Sequence, residues 1–480
     1  MQLSQSYAQL PGMFYQSLAP TPVTSPELLL WNDELAQALN MDFTGLDALQ
    51  KAQFFSGNRL LPGSQPLSQA YSGHQFGHFT HLGDGRAHLL GEYEDMQGRR
   101  WDIQLKGSGR TRYSRNGDGR AALGPVLREY IISEAMAALG VPTTRGLAVV
   151  ASGEPVYREE VLPGAILTRV ARCHIRVGTF QFALAQGDIE GLRALFDYSV
   201  QRLAPQCAES ECPPLAFLQW VQDQQAALVA RWLLLGFIHG VMNTDNMAIS
   251  GETIDYGPCA FLDIYQPDTV FSSIDRQGRY RYSHQGTIAH WNLTRFAETL
   301  LPLIDADGDR AAEMAMQTLA GFPGKLHEQW LGGMCRKLGW ETPESDDAQL
   351  IGQWLQLLEK HEQDFTNSFF ALGNEEERDR EFFQAQAVQQ WLGRREQRIE
   401  RAGLKRGESA HILSLSNPAV IPRNHRVEQA LKLAEAEGDM SLVHRLLAVV
   451  KSPYSVADQD REYQQLPSPQ ERVYRTFCGT

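Results

Sequence analysis

The sequence predicts an α+β protein in which a strand-rich N-terminal part precedes a larger, mostly helical part. Glycine-punctuated runs with the alternation typical of strands occupy residues 61–165. From about residue 185 onwards, apolar residues repeat at helical spacing, and one short hairpin interrupts them. A chain of 480 residues with 43% hydrophobic residues can bury a large core and fold as more than one lobe.

The N-terminal elements follow from local patterns. Residues 1–60 form a proline-dotted extension with one predicted helix over residues 25–39. Strands are predicted over residues 77–80 and 87–93, on the two sides of a glycine-rich turn, and over residues 99–106. The Gly-rich turn between the first two strands is therefore placed at the start of a sheet.

A helix is predicted next, over residues 123–139, because these residues have helical periodicity. It ends at the stop signal Gly140-Val141-Pro142. Residues 147–150 and 156–160 are predicted to pair as a hairpin around a Ser-Gly-Glu-Pro turn. Near the C-terminus, the mixed charges of residues 374–408 predict a solvated helix or a linker. A last helical segment is predicted over residues 423–450, before a polar tail.

Composition limits the class of protein. The net charge of −13 argues against a nucleic-acid partner, so any phosphate site must be a local basic cluster. No Lys or Arg precedes Lys51, which argues against a secretory signal and an Arg-rich transit peptide. The most apolar segment, residues 227–242, is too short and too polar to span a membrane. The cysteines are scattered without metal-ligand spacing, which predicts a cytoplasmic protein. They are Cys173, Cys207, Cys212, Cys259, Cys335 and Cys478.

The most informative motif follows the apolar segment. It runs from His239 to Asn246, and Asp255-Tyr256-Gly257 comes nine residues later. Kinase-like phosphotransferases carry a His-x-Asp-x-x-x-x-Asn loop followed by Asp-Phe-Gly, whose Asn and second Asp hold the metal on the nucleotide phosphates. Val241 occupies the place of the catalytic Asp and cannot accept a proton, whereas Asp245 stands beside the Asn. The alternative interpretation is a helix, loop and hairpin with two incidental Asp residues.

The strand-rich part supplies the other expected components of a kinase-like site. Gly83 and Gly85 would let the backbone approach a phosphate closely. Lys106 ends a predicted strand and Glu129 lies on the following helix, as the Lys–Glu ion pair of kinases requires. Each signal is weak alone, but their order with Asn246 and Asp255 predicts a two-lobed, protein-kinase-like fold with N-terminal and C-terminal extensions.

Arginines cluster near this predicted cleft. The pentapeptide Gly-Asp-Gly-Arg-Ala occurs at residues 83–87 and again at residues 117–121. Arg112 lies between the copies, and Arg169, Arg172 and Arg176 follow the predicted hairpin. Since Arg binds phosphate in a bidentate manner, several of these residues are expected to bind a polyphosphate, while others simply face solvent. In particular, Arg112, Arg169 and Arg176 could form a basic pocket.

Competing site types lack their motifs. Gly324-Lys325 is followed by Leu326 instead of a hydroxyl residue, so no Walker-type phosphate loop is present. The chain also has no His-Glu-x-x-His zinc helix and no Gly-x-Ser-x-Gly nucleophile turn.

Taken together, these motifs resemble the selenoprotein O (SelO/YdiU) family of pseudokinase-fold protein adenylyltransferases. The resemblance covers most of the chain. It rests on His74-Gln75-Phe76-Gly77, Leu82 to Arg86, Gln104 to Gly109, Arg128-Glu129-Tyr130, Pro142 to Arg145, His239 to Asn246, Thr253 to Pro258, Asn417-Pro418 and Arg423-Asn424.

The resemblance implies an activity and its cofactors. Such a protein binds ATP in a reversed orientation, transfers AMP to Ser, Thr or Tyr (or His) side chains of proteins, and releases pyrophosphate. Some members are thought to use UTP with Mn²⁺. The implied metal, Mg²⁺ or Mn²⁺, would be held by Asn246 and Asp255, and Asp245 would accept the proton. The implied nucleotide-binding residues are Gly83, Gly85, Arg86, Lys106, Asp118, Gly119, Arg169, Arg176 and Asp255, with Glu129 positioning Lys106.

This interpretation divides the chain into four parts and predicts its partners. They are an N-terminal extension (1–60), a small lobe (61–165), a helical large lobe (166–400) and a C-terminal helical extension with a tail (401–480). The expected partners are a nucleoside triphosphate and acceptor proteins, with no nucleic acid and no membrane, and we expect a monomer.

Two positions depart from the family pattern. Gly124-Pro125-Val126 replaces a more polar segment before Arg128. The tail has Arg475 three residues before Cys478, so it lacks a dithiol pair, although Cys478 could still pair with a distant thiol.

The sequence leaves several alternatives open. A kinase that transfers the γ-phosphate, with Asp245 as its base, is one, and an inactive nucleotide-binding scaffold is another. A small-molecule phosphotransferase is a third, because His239-Gly240 resembles the loop of aminoglycoside kinases. The acceptor proteins, the choice between ATP and UTP, and the choice between Mg²⁺ and Mn²⁺ are also open.

Overall fold

An eight-stranded antiparallel sheet and a helical C-terminal region make up the architecture of this chain. A computed structural model describes residues 2–374, 376, 378 and 381–477. The sheet has the order β1-β3-β6-β7-β10-β9-β2, with β8 paired to β10, and two further pairs, β4–β5 and β11–β12, lie apart from it. The strands are β1 (Tyr15–Ser17), β2 (Glu27–Trp31), β3 (Leu67–Gln69), β4 (Ser72–Gln75), β5 (His78–His81), β6 (Ala87–Glu94), β7 (Arg100–Lys106), β8 (Ala121–Ala122), β9 (Arg145–Tyr157), β10 (Val161–Ala171), β11 (Phe237–Ile238) and β12 (Ala260–Phe261).

The described residues also form α-helices. They are α1 (Asp33–Ala38), α2 (Ala48–Phe55), α3 (Leu123–Ala138), α4 (Val177–Ala185), α5 (Ile189–Leu203), α6 (Pro213–Leu235), α7 (Gln285–Ile304), α8 (Gly308–Leu319), α9 (Phe322–Leu338), α10 (Asp347–Lys360), α11 (Phe365–Phe370), α12 (Glu381–Gln384), α13 (Gln386–Arg401), α14 (Arg406–Ser416), α15 (Asn424–Glu437) and α16 (Ser441–Val450). Among the described residues, we find no helix that is both long and apolar enough to cross a membrane.

The centre of the sheet is two-faced because side chains alternate along β7. Ile103 and Leu105 are fully buried and belong to the apolar cluster that includes α2. Gln104 and Lys106 alternate with them and therefore point to the opposite face. Arg169 of β10 lies opposite Gln104 in the register, so three polar side chains share this second face. That face looks onto α3, almost all of which is buried.

Two of the predicted elements are wrong. The helix predicted over residues 25–39 is instead strand β2 followed by the short helix α1. The apolar run in β2 pairs with β9, with Trp31 opposite Ala148, and Asn32 then caps α1 by accepting a hydrogen bond from the Leu35 N–H. Pairing at a sheet edge thus outweighs helical periodicity in this run.

The predicted hairpin is also wrong. Strand β9 continues through the Ser-Gly-Glu-Pro segment to Tyr157, and its hairpin partner is β10. The Ser-Gly-Glu-Pro segment is a local irregularity with Gly153 at φ +70°, opposite a register shift between Pro163 and Ala165. The turn itself lies at residues 158–160, which contain neither Gly nor Pro.

The charged stretch 374–408 is only partly described, since residues 375, 377, 379 and 380 lie outside the described set. Within it, α13 packs against the core through Trp391, which is fully buried. Arg398 of this helix is also buried and donates to Asp347 at 2.7 Å. The helix is therefore not simply solvated as predicted, because some of its charges have partners inside the protein.

Candidate functional site

A cleft of about 910 Å³ lies between the polar face of the sheet and the loops that follow α6. Every nucleotide-binding, metal-binding and proton-accepting residue implied by the family resemblance lines it, together with Glu129. They are Gly83, Gly85, Arg86, Lys106, Asp118, Gly119, Glu129, Arg169, Arg176, Asp245, Asn246 and Asp255.

The first glycine pentapeptide forms the loop that leads from β5 into β6. Gly83 has φ +137°, and a Cβ atom there would lie 2.4 Å from the Tyr113 ring. Thr111 Oγ1 donates to the Asp84 carbonyl at 2.7 Å, so the segment after β7 folds against this loop. Only glycine satisfies both the backbone conformation and the close approach at this position.

The second pentapeptide lines the same cleft as the first. The Gly109 N–H donates to the Gly119 carbonyl at 3.0 Å. Gly119 has φ +72°, and a Cβ atom there would lie 2.2 Å from the Gly109 carbonyl carbon. The neighbouring Asp118 carboxylate pairs with Arg158 at 2.8 Å, which lowers the pKa of Asp118. Asp118 therefore already has a cationic partner.

An ionic cluster of two buried and two half-buried side chains lies next to the loop. Lys106 Nζ donates to Glu129 Oε2 at 2.5 Å and lies 3.4 Å from Asp255 Oδ1. Arg169 donates to both Glu129 and Asp255. Burial opposes ionisation of Asp255, but Arg169, Lys106 and Arg176 hold the pKa of this carboxyl well below its ordinary value. Asp255 is therefore a carboxylate in the folded protein.

Arg176 is a third cation of the cleft, beside Lys106 and Arg169. It lies just before α4, with its guanidinium 4.3 Å from the centre of the Tyr71 ring. Its Nη2 is 3.8 Å from both Asp84 Oδ1 and Asp255 Oδ2. Burial raises the pKa of Asp84 although Arg176 acts against this. Among the described residues, Arg176 Nε is buried without a hydrogen-bond partner, so this guanidinium retains donor capacity.

Asp245 lies in a short 3-10 turn after β11 and is almost fully buried. Burial raises the pKa of this carboxyl to about 6. Gln75 Nε2 is 3.4 Å from Asp245 Oδ2, and within the described part of the chain Asp245 Oδ1 has no hydrogen-bond partner. Val241, at the sequence position where a kinase carries its catalytic Asp, also lines the cleft. The cleft therefore has an apolar side chain at that position.

The two expected metal ligands are constrained in different ways, Asn246 through its side chain and Asp255 through its backbone. Asn246 Nδ2 donates to the Val241 carbonyl at 3.0 Å, which leaves the amide oxygen as the atom that could bind a cation. Asp255 adopts φ +61°, a left-handed conformation that costs a non-glycine residue about 1–2 kcal/mol. His239 is buried and its Nε2 lies 2.9 Å from the Ile254 carbonyl, so it ties the two loops together.

The hairpin β4–β5 is a part of the site that was not predicted from the sequence. The His74 N–H donates to Thr244 Oγ1 at 2.7 Å, and the Phe76 N–H donates to Asn243 Oδ1 at 3.1 Å. The available signal was the His-Gln-Phe-Gly motif, to which no role was given. Tyr71, which no motif marks, also lines the cleft.

Two arginines that the sequence placed near the cleft do not line it. The Arg112 guanidinium lies 4.8 Å from the centre of the Tyr113 ring, and Arg112 is not among the lining residues. Arg172 is also absent from the lining, and its backbone N–H donates to Glu252. The pocket of three arginines expected from Arg112, Arg169 and Arg176 is thus reduced to the last two.

The C-terminal part contributes to the cleft wall in a way that no motif indicated. Glu428, Lys432 and Glu435 of α15 line one end of it. Thr476 in the tail donates to the Pro258 carbonyl at 2.6 Å, so the tail passes beside the Asp255 loop. Cys478 lies outside the described residues.

Comparisons with known proteins agree along nearly the whole chain. A model of the family described as protein adenylyltransferase SelO matches residues 1–451. Similar curated proteins carry the name protein nucleotidyltransferase YdiU. The one from Bacillus cytotoxicus is 53% identical over 475 residues, which cover 99% of this chain and 97% of that protein. Those from Halalkalibacterium halodurans and Nitrosococcus oceani are 53% and 52% identical, each over 99% of this chain and 96% of the relative.

Proposed function

This chain belongs to the protein adenylyltransferase SelO family and is a protein nucleotidyltransferase, and we propose that it joins AMP from ATP, or UMP from UTP, to Ser, Thr or Tyr (or His) side chains of proteins. The observation that carries this proposal is that Lys106, Glu129, Asn246 and Asp255 line the same cleft. Val241 lines it too, at the position of the kinase base. The nucleotide-binding half of a phosphotransferase site is kept, and the acceptor half is rebuilt around Asp245.

The proposed architecture is a two-lobed, kinase-like fold with the domain division expected from the sequence. The antiparallel sheet with α3 would be the small lobe, and the helices from α4 onwards would be the large lobe. The support is the order of the parts, in which a glycine loop, a Lys-bearing strand and a Glu-bearing helix precede the Asp245 loop.

The triphosphate would run inward, reversed relative to a kinase. Arg176 and Arg169 are almost fully buried residues of the cleft lining, which we take as its inner end, and Arg176 Nε has no hydrogen-bond partner among the described residues. Guanidinium groups bind phosphate oxygens strongly in such low-dielectric sites. With the distal phosphates at this end, the α-phosphorus would lie nearer the mouth, where an acceptor protein can reach it.

The cleft fits a divalent metal. Asn246 and Asp255 supply one amide oxygen and one carboxylate, and the described residues contain no cluster of three or more His, Cys, Asp or Glu side chains that could form a closed site. Mg²⁺ is typically held by one or two protein oxygens together with phosphates and water, and Mn²⁺ accepts similar ligands. When bound, such a metal would neutralise phosphate charge.

The chemical step follows from the positions of the side chains. The acceptor oxygen would bond to the α-phosphorus, the bond from that phosphorus to the bridging oxygen would break, and pyrophosphate would leave. Asp245 would take the acceptor proton, since it is the carboxylate beside Asn246 that no described cation pairs with. Lys106 and Arg169 would stabilise the charge that develops on the leaving group.

Mass spectrometry of acceptor proteins and of the enzyme itself tests the proposal. The purified protein is incubated with ATP or UTP, each with Mg²⁺ or Mn²⁺. An added AMP or UMP group is the expected result, and it also identifies the preferred nucleotide and metal. Asp255→Asn, which keeps the size of the side chain, is the inactive control.

One alternative keeps a specific observation in its favour. Asp245 beside Asn246 could also serve as the base of a kinase that transfers the γ-phosphate. Parallel reactions with α-labelled and γ-labelled ATP separate the two, because a nucleotidyltransferase leaves only the α-label on protein. Protein labelled only by γ-labelled ATP would overturn the proposed function.

A further inference from the structure

The C-terminal helix α15 contacts the N-terminal end of α3, the helix that carries Glu129. Helix α3 begins after Ala122, which offers no side-chain cap. The Gly124 N–H in its first turn instead donates to Glu435 Oε1 of α15 at 2.8 Å. A donor that would otherwise be unsatisfied at a buried helix start therefore has a carboxylate partner, which the positive end of the helix dipole favours.

This contact explains an unusual feature of the sequence. A Cβ atom at position 124 would lie 2.5 Å from Glu435 Oε1, so any larger residue would displace the carboxylate. Gly124-Pro125-Val126 is the segment that departs from the polar pattern of the family. Glycine at this position is what allows Glu435 to reach the helix.

A second contact lies one turn further along α3. The Arg128 guanidinium donates to Glu428 Oε1 at 2.9 Å and to Asn424 Oδ1 at 2.6 Å, both on α15. The same guanidinium donates to the carbonyl oxygens of Gly257 at 3.2 Å and Cys259 at 2.6 Å, directly after Asp255. Arg128 is therefore a joint between three elements, and it is almost fully buried.

The geometry points to a positioning role for α15. We propose that Glu428 and Glu435 clamp α3 so that Glu129 holds Lys106 and Arg169 in register with Asp255. The clamp rests on the proposed function, since that function gives Lys106 and Arg169 their task. The C-terminal extension would then help to position the residues of the site, although it is distant from them in sequence.

Replacement of both clamp residues tests the inference. In Glu428→Ala/Glu435→Ala, α3 should shift, and kcat of nucleotide transfer should fall by about tenfold or more, as small misplacements of catalytic groups do. Glu437→Ala, an exposed position on the same helix, is the matched control and should stay within about twofold of the wild type. A double variant with the wild-type kcat would overturn the clamp.

Hydrogen exchange separates positioning from a general loss of stability. Amides of residues 123–130 should exchange faster in the double variant, while those of α6 should keep their protection. Equally faster amide exchange in α3 and α6 would mean that the contacts of α15 only add stability to the whole protein, and the clamp would be rejected. If the wild type itself shows no transfer, the proposed function fails, and the exchange measurement still tests the clamp.

Gly124→Ala provides an independent variant that leaves both carboxylates in the chain. Because its methyl group would lie 2.5 Å from the present position of Glu435 Oε1, it should lower kcat by about as much as the single variant Glu435→Ala. Combined with Glu435→Ala, it should add less than about a further twofold loss, because the contact is already gone. Fully multiplicative losses would contradict a shared contact.

Discussion

Among the carboxylates of the cleft, Glu129 and Asp255 each have cationic neighbours, whereas Asp245 stands outside this ionic cluster. Glu129 pairs with Lys106 and Arg169, while Asp255 faces those two cations and Arg176. Removing one partner from such a cluster leaves an uncompensated buried charge, which destabilises a protein strongly. Side chains in this cluster are therefore best tested with substitutions that keep shape, and Asp245, which forms no ion pair among the described residues, is the cleaner target.

Asp245→Asn should lower the rate of nucleotide transfer by roughly 100-fold or more, the typical loss for a general base. Nucleotide affinity should stay within about threefold, because the amide keeps the size of the carboxylate and Asn246 is untouched. Single-turnover transfer and calorimetric titration with the nucleotide measure the two quantities. A large loss of nucleotide binding with little change in the transfer rate would make Asp245 a ligand of the nucleotide instead.

Arg176→Gln should weaken ATP binding by more than about tenfold, because a charge-assisted hydrogen bond to phosphate contributes about 1.5–3 kcal/mol. AMP lacks the distal phosphates that the reversed orientation places near Arg176, so its affinity should hardly change. Calorimetry with both ligands checks the prediction, and Arg112→Gln, outside the cleft lining, serves as the control. Equal losses for ATP and AMP would reject the reversed nucleotide.

The glycine loops owe their shape to contacts as well as to backbone freedom. Gly119 and Gly98 have nearly the same φ, +72° and +73°. A Cβ atom at Gly119 would lie 2.2 Å from the Gly109 carbonyl carbon, whereas one at Gly98 would meet nothing within 4 Å. The two positions thus separate the effect of strain from the effect of crowding.

Gly119→Ala should therefore lower nucleotide affinity by more than about tenfold, since the second pentapeptide must move away from the cleft. Gly98→Ala should cost only the left-handed strain, about 1–2 kcal/mol of stability, with nucleotide affinity unchanged. Thermal unfolding and nucleotide titration of both variants test this pair. Similar affinities for the two variants would mean that the loop around Gly119 does not contact the nucleotide.

How well the elements could be predicted depends on how local their causes are. Helix α3 and strand β7 appear where periodicity and turn signals place them, because each is buried along its own length. The apolar run in β2 has a helical pattern, yet it forms a strand because it pairs with β9. The Ser-Gly-Glu-Pro segment carries a turn pattern, yet it lies inside β9, since strand pairing with β10 continues past it. In both cases a distant strand decides the outcome.

The same rule applies to the site. Residues in short motifs, such as Lys106, Asn246 and Asp255, could be singled out because spacing along the chain carries the signal, and all of them line the cleft. Glu428 and Glu435 could not, because they reach the cleft only through the packing of α15 on α3. The roles of the motif residues in catalysis stay predictions until the variants above are measured.

A buried lysine outside the cleft lining is expected to affect the stability of the whole protein. Lys337 of α9 is almost fully buried, with its Nζ 4.3 Å from the centre of the Phe369 ring. Burial lowers the pKa of this lysine to about 7, from an ordinary value of 10.5. No carboxylate pairs with it in the part of the chain that the structure describes. Between about pH 7 and pH 10.5 the unfolded chain therefore binds a proton that the folded protein does not bind.

This difference sets the sign of a pH effect on the stability of the wild type. Because the unfolded state holds more protons in that range, the contribution of Lys337 to the free energy of unfolding becomes less unfavourable as the pH rises, by at most about 1.4 kcal/mol per pH unit.

Lys337→Met removes the charge and keeps an unbranched apolar side chain. The variant should unfold at a higher temperature than the wild type at pH 6–7, and this advantage should shrink as the pH approaches 10. The cation–π contact with Phe369, about 1–2 kcal/mol, offsets part of the gain. Thermal unfolding from pH 6 to pH 10 measures the difference, and Lys360→Met, at an exposed position, should show no such trend. A constant difference between Lys337→Met and the wild type across this range would mean that Lys337 stays charged in the folded protein.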